Sequence, residues 1–387
     1  MRTCMHVLIY NIQKLSSMDD LYVKLALKLK EKGLDVTIVT TNFVPRGLKE
    51  IYTTKYVVLK QLLKKKEVDY IEVNAVNIKD FVVIPALKIL YKVFSRADII
   101  YLNNSFIPNE ILTVIVKVIS KKPMISGFHI PLYEIRSRWR KIYRDVSIRL
   151  YNPLFSAYHV LNVKDYLTLK RMGCKNIYLI PNPVDSAFYD FKLPREEKDN
   201  KFTVLFVGRL EYEKGADLLP QIIEGIIDNK DISVEICGIG SLKHVIEHYA
   251  AKYPNKIRYN GFIEHGKMPE IYKRSSVLIA PSRRESFGNM IAEALASGIP
   301  VIASDRIYSF PNCPGIMRCS LNPEEFVDCI KFMYELKISR SQVYNEICEK
   351  ARLYAVNQFN WNRIIEKYIR MFTEVYLNRF DLTYSKC

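Results

Sequence analysis

Short apolar runs alternate with amphipathic stretches along the whole chain. CMHVLIYN near the start, LDVTIVTT at 34–41, ADIIYLN at 97–103, PMISGFH at 123–129 and AYHVLNV at 157–163 are rich in β-branched and aromatic residues, and read as buried strands. Between the first two, residues 19–32 repeat Leu21, Leu25 and Leu29 on one helical stripe, with Ser16 or Ser17 as cap and Gly33 as stop. Strand–helix–strand order predicts a mostly parallel sheet with helices on both faces. After IYLIPNPVD the signal breaks, and the polar stretch LPREEKDNK at 193–201 reads as a linker. The rhythm then restarts with FTVLFVG, a helix from about residue 217, SVEICGIG, KIRYNGF, SVLIAPS, a helix over 289–297 and PVIASD. The pattern predicts an α/β protein of two Rossmann-like doubly wound parallel-sheet domains, 1–190 and 191–360. A last helix over about 361–387, with Ile365, Ile369, Phe372 and Tyr376 as its stripe, is expected to pack back on the N-terminal domain.

Length agrees with two cores, since 387 residues exceed what one usually serves. An apolar fraction of 49% with 26% charged residues excludes a disordered or fibrous chain. The eight cysteines include no C-x-x-C pair and read as reduced intracellular thiols. The apolar run after Met1 and Arg2 is too short for a signal peptide, and the longest apolar stretch, FVVIPALKILYKVF, is broken by Lys88 and Lys92. The expectation is a cytoplasmic protein, at most peripheral on the inner face of the cell membrane.

Charge changes that picture more than composition does. Residues 1–190 hold 30 Lys and Arg against 16 Asp and Glu, a net +14, whereas residues 191–387 carry only +3. An anionic partner on the N-terminal lobe follows: lipid head groups, a phosphorylated acceptor or nucleic acid. No helix-turn-helix, RNP or zinc-finger signature supports nucleic acid. In YEIRSRWRKIYRDVSIRL, Ile135, Trp139, Ile142, Val146 and Leu150 share one helical face, and Arg136, Arg140 and Arg144 another. Such a helix suits a membrane interface, or else its apolar stripe is simply core.

Two segments carry chemistry. In VLFVGRLEYEKGADLL a strand ends at Gly208, and Arg209 and Lys214 place two cations before Gly215 and a helix, a setting suited to a diphosphate or to ordinary solvated charges. In APSRRESFGNMIAEALASGIPVIASD, Glu285 follows a strand and Glu293 lies on the next helix, with Ser286, Phe287, Gly288 and Asn289 as the turn between. Carboxylates there suit sugar and ribose hydroxyls. His129 alone reads as a core histidine. His244 and His248 have zinc spacing but no carboxylate at a fitting distance, and no D-x-D supports a metal-dependent donor site, so no metal and no cofactor is expected.

These residues carry a resemblance. VGRLEYEKG is similar to G-R-L-x-x-E-K-G of the retaining family 4 glycosyltransferases of GT-B fold (glycosyl transferases group 1). Glu285 and Glu293 resemble that family's E-x7-E, and IPNPVD its I-P-N-G-V-D. The likeness is firm over about 175–305 and looser before it. It implies a donor that is a GDP- or UDP-linked sugar and an acceptor that is a lipid-linked or other glycan. Arg209 and Lys214, after Gly208, would hold the diphosphate, Glu293 the ribose, and Glu285 the sugar, with the amides of Phe287, Gly288 and Asn289 around it. Gly238, Gly240, Phe262 and Ile263 would lie near base and ribose, and His129 near the donor sugar. The loop NIQKLSSMDD lacks the family's Gly-Gly, so either Ser16 or Ser17 serves instead or the placement of acceptor and donor differs. Alternatives on the same fold are an epimerase or phosphorylase, or a non-catalytic nucleotide-sugar scaffold.

Overall fold

In the computed structural model, residues 5–13, 21–43, 56–74, 76–78, 81–83, 87–103, 114, 117–118, 120–132, 138–191 and 201–384 are described. The chain divides into two compact units. One is Met1–Ile180 together with Ile365–Cys387, and the other is Pro181–Ile364. The division falls ten residues before 190, because Asn182, Asp185 and Phe188 are already tied into the second unit: Asn182 Nδ2 donates to Asn289 Oδ1 at 2.9 Å, Trp361 Nε1 donates to Asp185 Oδ1 at 2.8 Å, and Ser297 Oγ donates to the Phe188 carbonyl at 2.9 Å. The stretch 193–200 read as a linker lies outside the described residues.

The first unit is built on a seven-stranded parallel sheet. Its strands are β1 (His6–Gln13), β2 (Asp35–Phe43), β3 (Asp69–Val73), β6 (Ile99–Asn103), β7 (Met124–Phe128), β8 (Ala157–Val160) and β9 (Ile177–Leu179), in the order β3-β2-β1-β6-β7-β8-β9. A small antiparallel hairpin, β4 (Val76–Ile78) and β5 (Phe81–Val83), stands apart from it. The central strands are buried on both faces. Val7, Leu8 and Ile9 of β1 and Ile99, Ile100 and Tyr101 of β6 are fully covered, which is why these runs lack the apolar–polar alternation of a half-solvated sheet. The helix Trp361–Tyr384 carries the chain into this unit from residue 365 on, burying Ile365, Tyr368, Met371, Phe372 and Val375. Ile369 and Tyr376 of the expected stripe are only half-buried, since the buried face is centred one position away.

The second unit repeats the plan with β10 (Phe202–Val207), β11 (Ile232–Cys237), β12 (Ile257–Tyr259), β13 (Val277–Ala280), β14 (Val301–Ser304) and β15 (Ile316–Cys319), all parallel and ordered β12-β11-β10-β13-β14-β15. Its core joins Phe202, Val204 and Phe206 of β10 to Leu219, Ile222, Ile223 and Ile226 of helix Leu219–Ile226, and to Phe326 and Ile330 of helix Pro323–Ser339. Strand order reverses between β10 and β13. In an open parallel sheet a crevice forms outside the carboxyl ends of the two strands at such a reversal, and ligands bind there.

The basic helix Arg138–Tyr151 forms as its spacing predicts, but its stripe does not point into the core. Trp139 is 80% exposed, Val146 56% and Leu150 66%, and Ile142 is exposed too. Ser147 and Ile148 are the buried residues, Ile148 packing with Leu132, Tyr158 and Leu169. Ile135, Arg136 and the side chain of Arg140 lie outside the described residues.

Candidate active site

The carboxyl ends of β10 and β13 supply the two sequence segments that carry chemistry. After β10 the chain runs through Gly208, Arg209 and Leu210 into a single 3-10 turn, Tyr212–Lys214, that ends at Gly215 in the left-handed conformation (φ 70°). Only glycine adopts this without strain, and a second constraint acts here. A Cβ at Gly215 would lie 2.8 Å from the carbonyl carbon of Pro281 and closer still to its oxygen. The turn thus lies directly against the loop that follows β13.

That closeness brings Lys214 to Glu285. Lys214 Nζ is 2.5 Å from Glu285 Oε1, and Ser282 Oγ donates to the same oxygen at 3.0 Å. Glu285 is 5% exposed, so the ammonium and hydroxyl hold a carboxylate that would be costly to bury alone. Arg283, which no sequence motif singles out, holds the two loops together. Its amide donates to the Glu213 carbonyl at 2.8 Å, Nη1 donates to the Tyr212 carbonyl at 2.6 Å, and the guanidinium pairs with both oxygens of Asp217 at 2.6 and 2.9 Å while lying 3.7 Å over the Tyr212 ring. Arg209 is exposed beside this assembly in sequence.

Helix Asn289–Ala296 starts at Gly288 (φ 90°). Phe287, expected to offer its amide, buries its ring against Phe310 and Phe359 at 5.0 and 5.5 Å between centroids, which anchors the turn from behind. Asn289 is exposed. Glu293, one turn into the helix, is 9% exposed and held at both oxygens: His265 Nε2 lies 3.0 Å from Oε1, and Tyr272 donates to Oε2 at 3.0 Å. His265 Nδ1 is also 3.8 Å from Asp185 Oδ2. Burial first, and then Glu293, pushes the Tyr272 phenol well above its ordinary range, so it remains a donor. His265 and Tyr272 were not legible as partners, because nothing in the sequence spacing aligns them with position 293.

The remaining positions fall at the neighbouring strand ends. A Cβ at Gly238, after β11, would overlap the carbonyl of Gly208, and one at Gly240 would lie 2.5 Å from the Leu210 carbonyl oxygen. Glu211 ties the same loops, accepting from the Ser241 amide at 2.9 Å and from its hydroxyl at 2.7 Å. Phe262, in the turn after β12, is 55% exposed and Ile263 is half-buried.

His129 belongs to the first unit and follows β7. Its Nε2 lies 2.9 Å from the Tyr101 hydroxyl, which in turn lies 2.7 Å from His159 Nδ1. Burial, and then His159, pushes the His129 imidazole well below its ordinary range, so it is neutral. The predicted caps Ser16 and Ser17 lie outside the described residues. His244 and His248 are exposed, and among the described residues no cluster of His, Cys, Asp and Glu is arranged to hold a metal ion.

The chain is similar to known proteins in sequence and in fold. Residues 189–315 match the family model of glycosyl transferases group 1. An uncharacterized glycosyltransferase of Methanocaldococcus jannaschii is 30% identical over 140 residues, 33% of this chain and 36% of that protein. The 2-deoxystreptamine N-acetyl-D-glucosaminyltransferase of Niallia circulans is 32% identical over 208 residues, 48% of this chain and 52% of that protein. The chain thus matches between about a third and about half of the length of these curated relatives. Among solved structures, a glycosyltransferase from Rickettsia africae superposes with a TM-score of 0.72 at 20% identity, covering 96% of this chain and 99% of that one. Anabaena HepE, solved in complex with UDP and glucose, gives a TM-score of 0.72 at 15% identity, covering 95% and 99%. The chain has the GT-B fold, and its residues 189–315 match the family model of glycosyl transferases group 1.

Proposed function

We propose that the protein is a retaining family 4 glycosyltransferase. It moves a hexose from a nucleoside-diphosphate sugar, UDP- or GDP-linked, to a lipid-linked or polysaccharide acceptor at the cytoplasmic face of the membrane. One observation supports the donor site above the rest. Lys214 and Glu285, 71 residues apart, meet at the carboxyl ends of the two strands that flank the reversal of the sheet. Structural neighbours include HepE bound to UDP-glucose, which favours a UDP sugar as the first donor to try.

The roles follow from the chemistry. When the nucleoside diphosphate leaves, negative charge grows on its phosphate oxygens. Lys214 and Arg209, fixed beforehand, stabilise that charge more than they stabilise the intact donor, and this lowers the barrier. Lys214 is held by Glu285 until the diphosphate arrives to share it. Glu285 then accepts hydrogen bonds from sugar hydroxyls, and Glu293, oriented by His265 and Tyr272, accepts from the ribose. The leaving phosphate takes the acceptor's proton in a front-face attack, so no separate general base and no metal is required of the chain.

The test is a thermal-shift panel of nucleoside diphosphates and their sugars. A ligand at a hundred times its dissociation constant adds about 2.7 kcal/mol to the folded state. One nucleotide should shift the wild type strongly and Glu293→Ala little, and Lys214→Ala should release no nucleotide in the presence of acceptor. Full turnover in both variants would refute the assignment. Binding without turnover over a broad acceptor panel would replace it with the scaffold.

Membrane contact is a separate part of the proposal, and it rests on the outward stripe Trp139, Ile142, Val146 and Leu150, flanked by exposed Arg138, Lys141 and Arg149. No helix among the described residues is long and apolar enough to cross a membrane. Vesicles containing anionic phospholipid should pellet more protein at low salt than neutral vesicles do; equal pelleting would refute this part.

A further inference from the structure

The hydrogen bonds behind His129 run in one direction only, and that direction is set at the far end. His159 is wholly buried on β8, and its Nε2 lies 2.8 Å from the carbonyl oxygen of Ile180. A carbonyl cannot donate, so Nε2 carries the proton. Burial lowers the His159 pKa to about 4, and the ring is therefore neutral near pH 7, with a bare lone pair on Nδ1. That lone pair must accept, and its partner at 2.7 Å is the Tyr101 hydroxyl. Tyr101 is wholly buried, and its phenol is raised well above the ordinary range by burial, so it keeps its single proton and gives it to His159. Its oxygen is left only as an acceptor towards His129 Nε2 at 2.9 Å. His129 must then bear its proton on Nε2.

We propose that Tyr101 and His159 are positioning residues that lock His129 as its Nε2–H tautomer and so make its Nδ1 a fixed acceptor for a hydroxyl of the bound sugar. The sugar contact rests on the donor-site reading of His129; the lock does not. The packing is built for it. The Tyr101 and His159 rings are enclosed by Tyr368, with centroids 6.2 and 5.2 Å away, and Phe372 closes on Tyr101 at 6.1 Å. Gly127, on the strand between them, is also required: a Cβ there would lie 2.7 Å from Tyr101 Cζ. A fixed tautomer discriminates, because a site committed to accepting rejects a sugar that offers no hydroxyl at that position.

Long-range proton–nitrogen NMR of histidine-labelled protein, with His129→Gln to assign the signal, reads the tautomer directly and needs no substrate. Wild-type His129 should show the neutral Nε2–H pattern. His159→Phe removes the acceptor at the end of the chain, frees the Tyr101 proton to turn towards His129, and should convert His129 to Nδ1–H. His159→Asn keeps an acceptor near the Nδ1 position and should preserve Nε2–H. A cationic or Nδ1–H His129 in the wild type, or an unchanged tautomer in His159→Phe, would overturn the lock. With UDP-glucose and GDP-mannose as donors, kcat/KM should fall about tenfold or more in His159→Phe and be largely restored in His159→Asn. If the tautomer behaves as stated but His129→Phe turns over like wild type, the sugar contact is overturned and the lock stands.

Discussion

Acidification should cost the first unit stability through His159, and the amount follows from its surroundings. In the folded chain its pKa lies at about 4, against 6.5 for the unconstrained side chain. Between these two values the unfolded state binds a proton that the folded state refuses. The unfolded state therefore gains as pH falls through this window, and stability is lost from about pH 6.5 downwards until the folded-state pKa is reached. From pH 7 to pH 5 the loss attributable to His159 is about 2 kcal/mol. For a unit of about 200 residues this is a drop of about 4–8 °C in melting temperature. His159→Asn removes the titrating group and keeps an acceptor for Tyr101, so the difference in pH dependence between variant and wild type isolates this one contribution. His129, also held neutral by burial, titrates in both forms and largely cancels. Scanning calorimetry of both proteins at pH 7 and pH 5 measures it. Equal shifts in the two would refute the reasoning, because His159 would then be protonated in the folded state or exposed enough to be indifferent.

Other expectations are simpler. Gly127→Ala should destabilise the first unit by about 1–3 kcal/mol, read as a lower melting temperature, because the Tyr101 ring it strikes is wholly buried and hydrogen-bonded and has no room to yield. Gly215→Ala should both destabilise the second unit and abolish the thermal shift by nucleoside diphosphate, since the new Cβ meets the backbone of Pro281; Gly33→Ala, at φ 85° with nothing within 4 Å, should show only the conformational strain. Replacing Trp139 and Val146 together by Asp should cut pelleting with anionic vesicles several-fold while leaving the melting temperature within about 1–2 °C, because both side chains are mostly solvent-exposed.

Much of this architecture was legible in the chain because parallel strands buried on both faces are continuous apolar runs. β1, β6, β10 and β13 announce themselves as HVLIYN, IIYLN, FTVLFV and VLIA, and a plan of two doubly wound parallel sheets follows from their alternation with helices. β3 and β15 were missed, for they are edge strands of their sheets, and DYIEV and IMRC mix charge with apolar residues as half-covered edges do. The hairpin β4–β5 was missed as well, its strands being only three residues each. The helix Arg138–Tyr151 was legible as a helix, but periodicity reports only that a stripe exists and not what covers it. Within the candidate site, Lys214 and Glu285 could be singled out because they sit in turns after strands, and Glu293 because it lies on the helix that follows such a turn. Arg283, His265 and Tyr272 could not, since each acts across a distance in sequence that only sheet register fixes.

The division between legible and illegible residues has a physical meaning. Glu293, Glu285 and His129, proposed above to meet the donor, are each backed by a partner that the fold must deliver. Glu293 has His265 and Tyr272, Glu285 has Ser282 and Lys214, and His129 has Tyr101 and, through it, His159. Apart from Ser282, three residues before Glu285, each partner comes from a different segment of its own unit, so the orientation of these groups is fixed mainly by tertiary contacts rather than by local conformation. The loops that bear them are fixed in the same way, by backbone against backbone: Gly215 on Pro281 and Gly238 on Gly208. No side chain intervenes that could rotate to absorb a displacement. An electrostatic site gains most from such rigidity, because dipoles and charges already aimed at a leaving diphosphate need not reorganise when its charge appears. Loops held this closely leave little room for adjustment to the donor, so recognition in the second unit should depend on the preset positions of Lys214, Glu285 and Glu293.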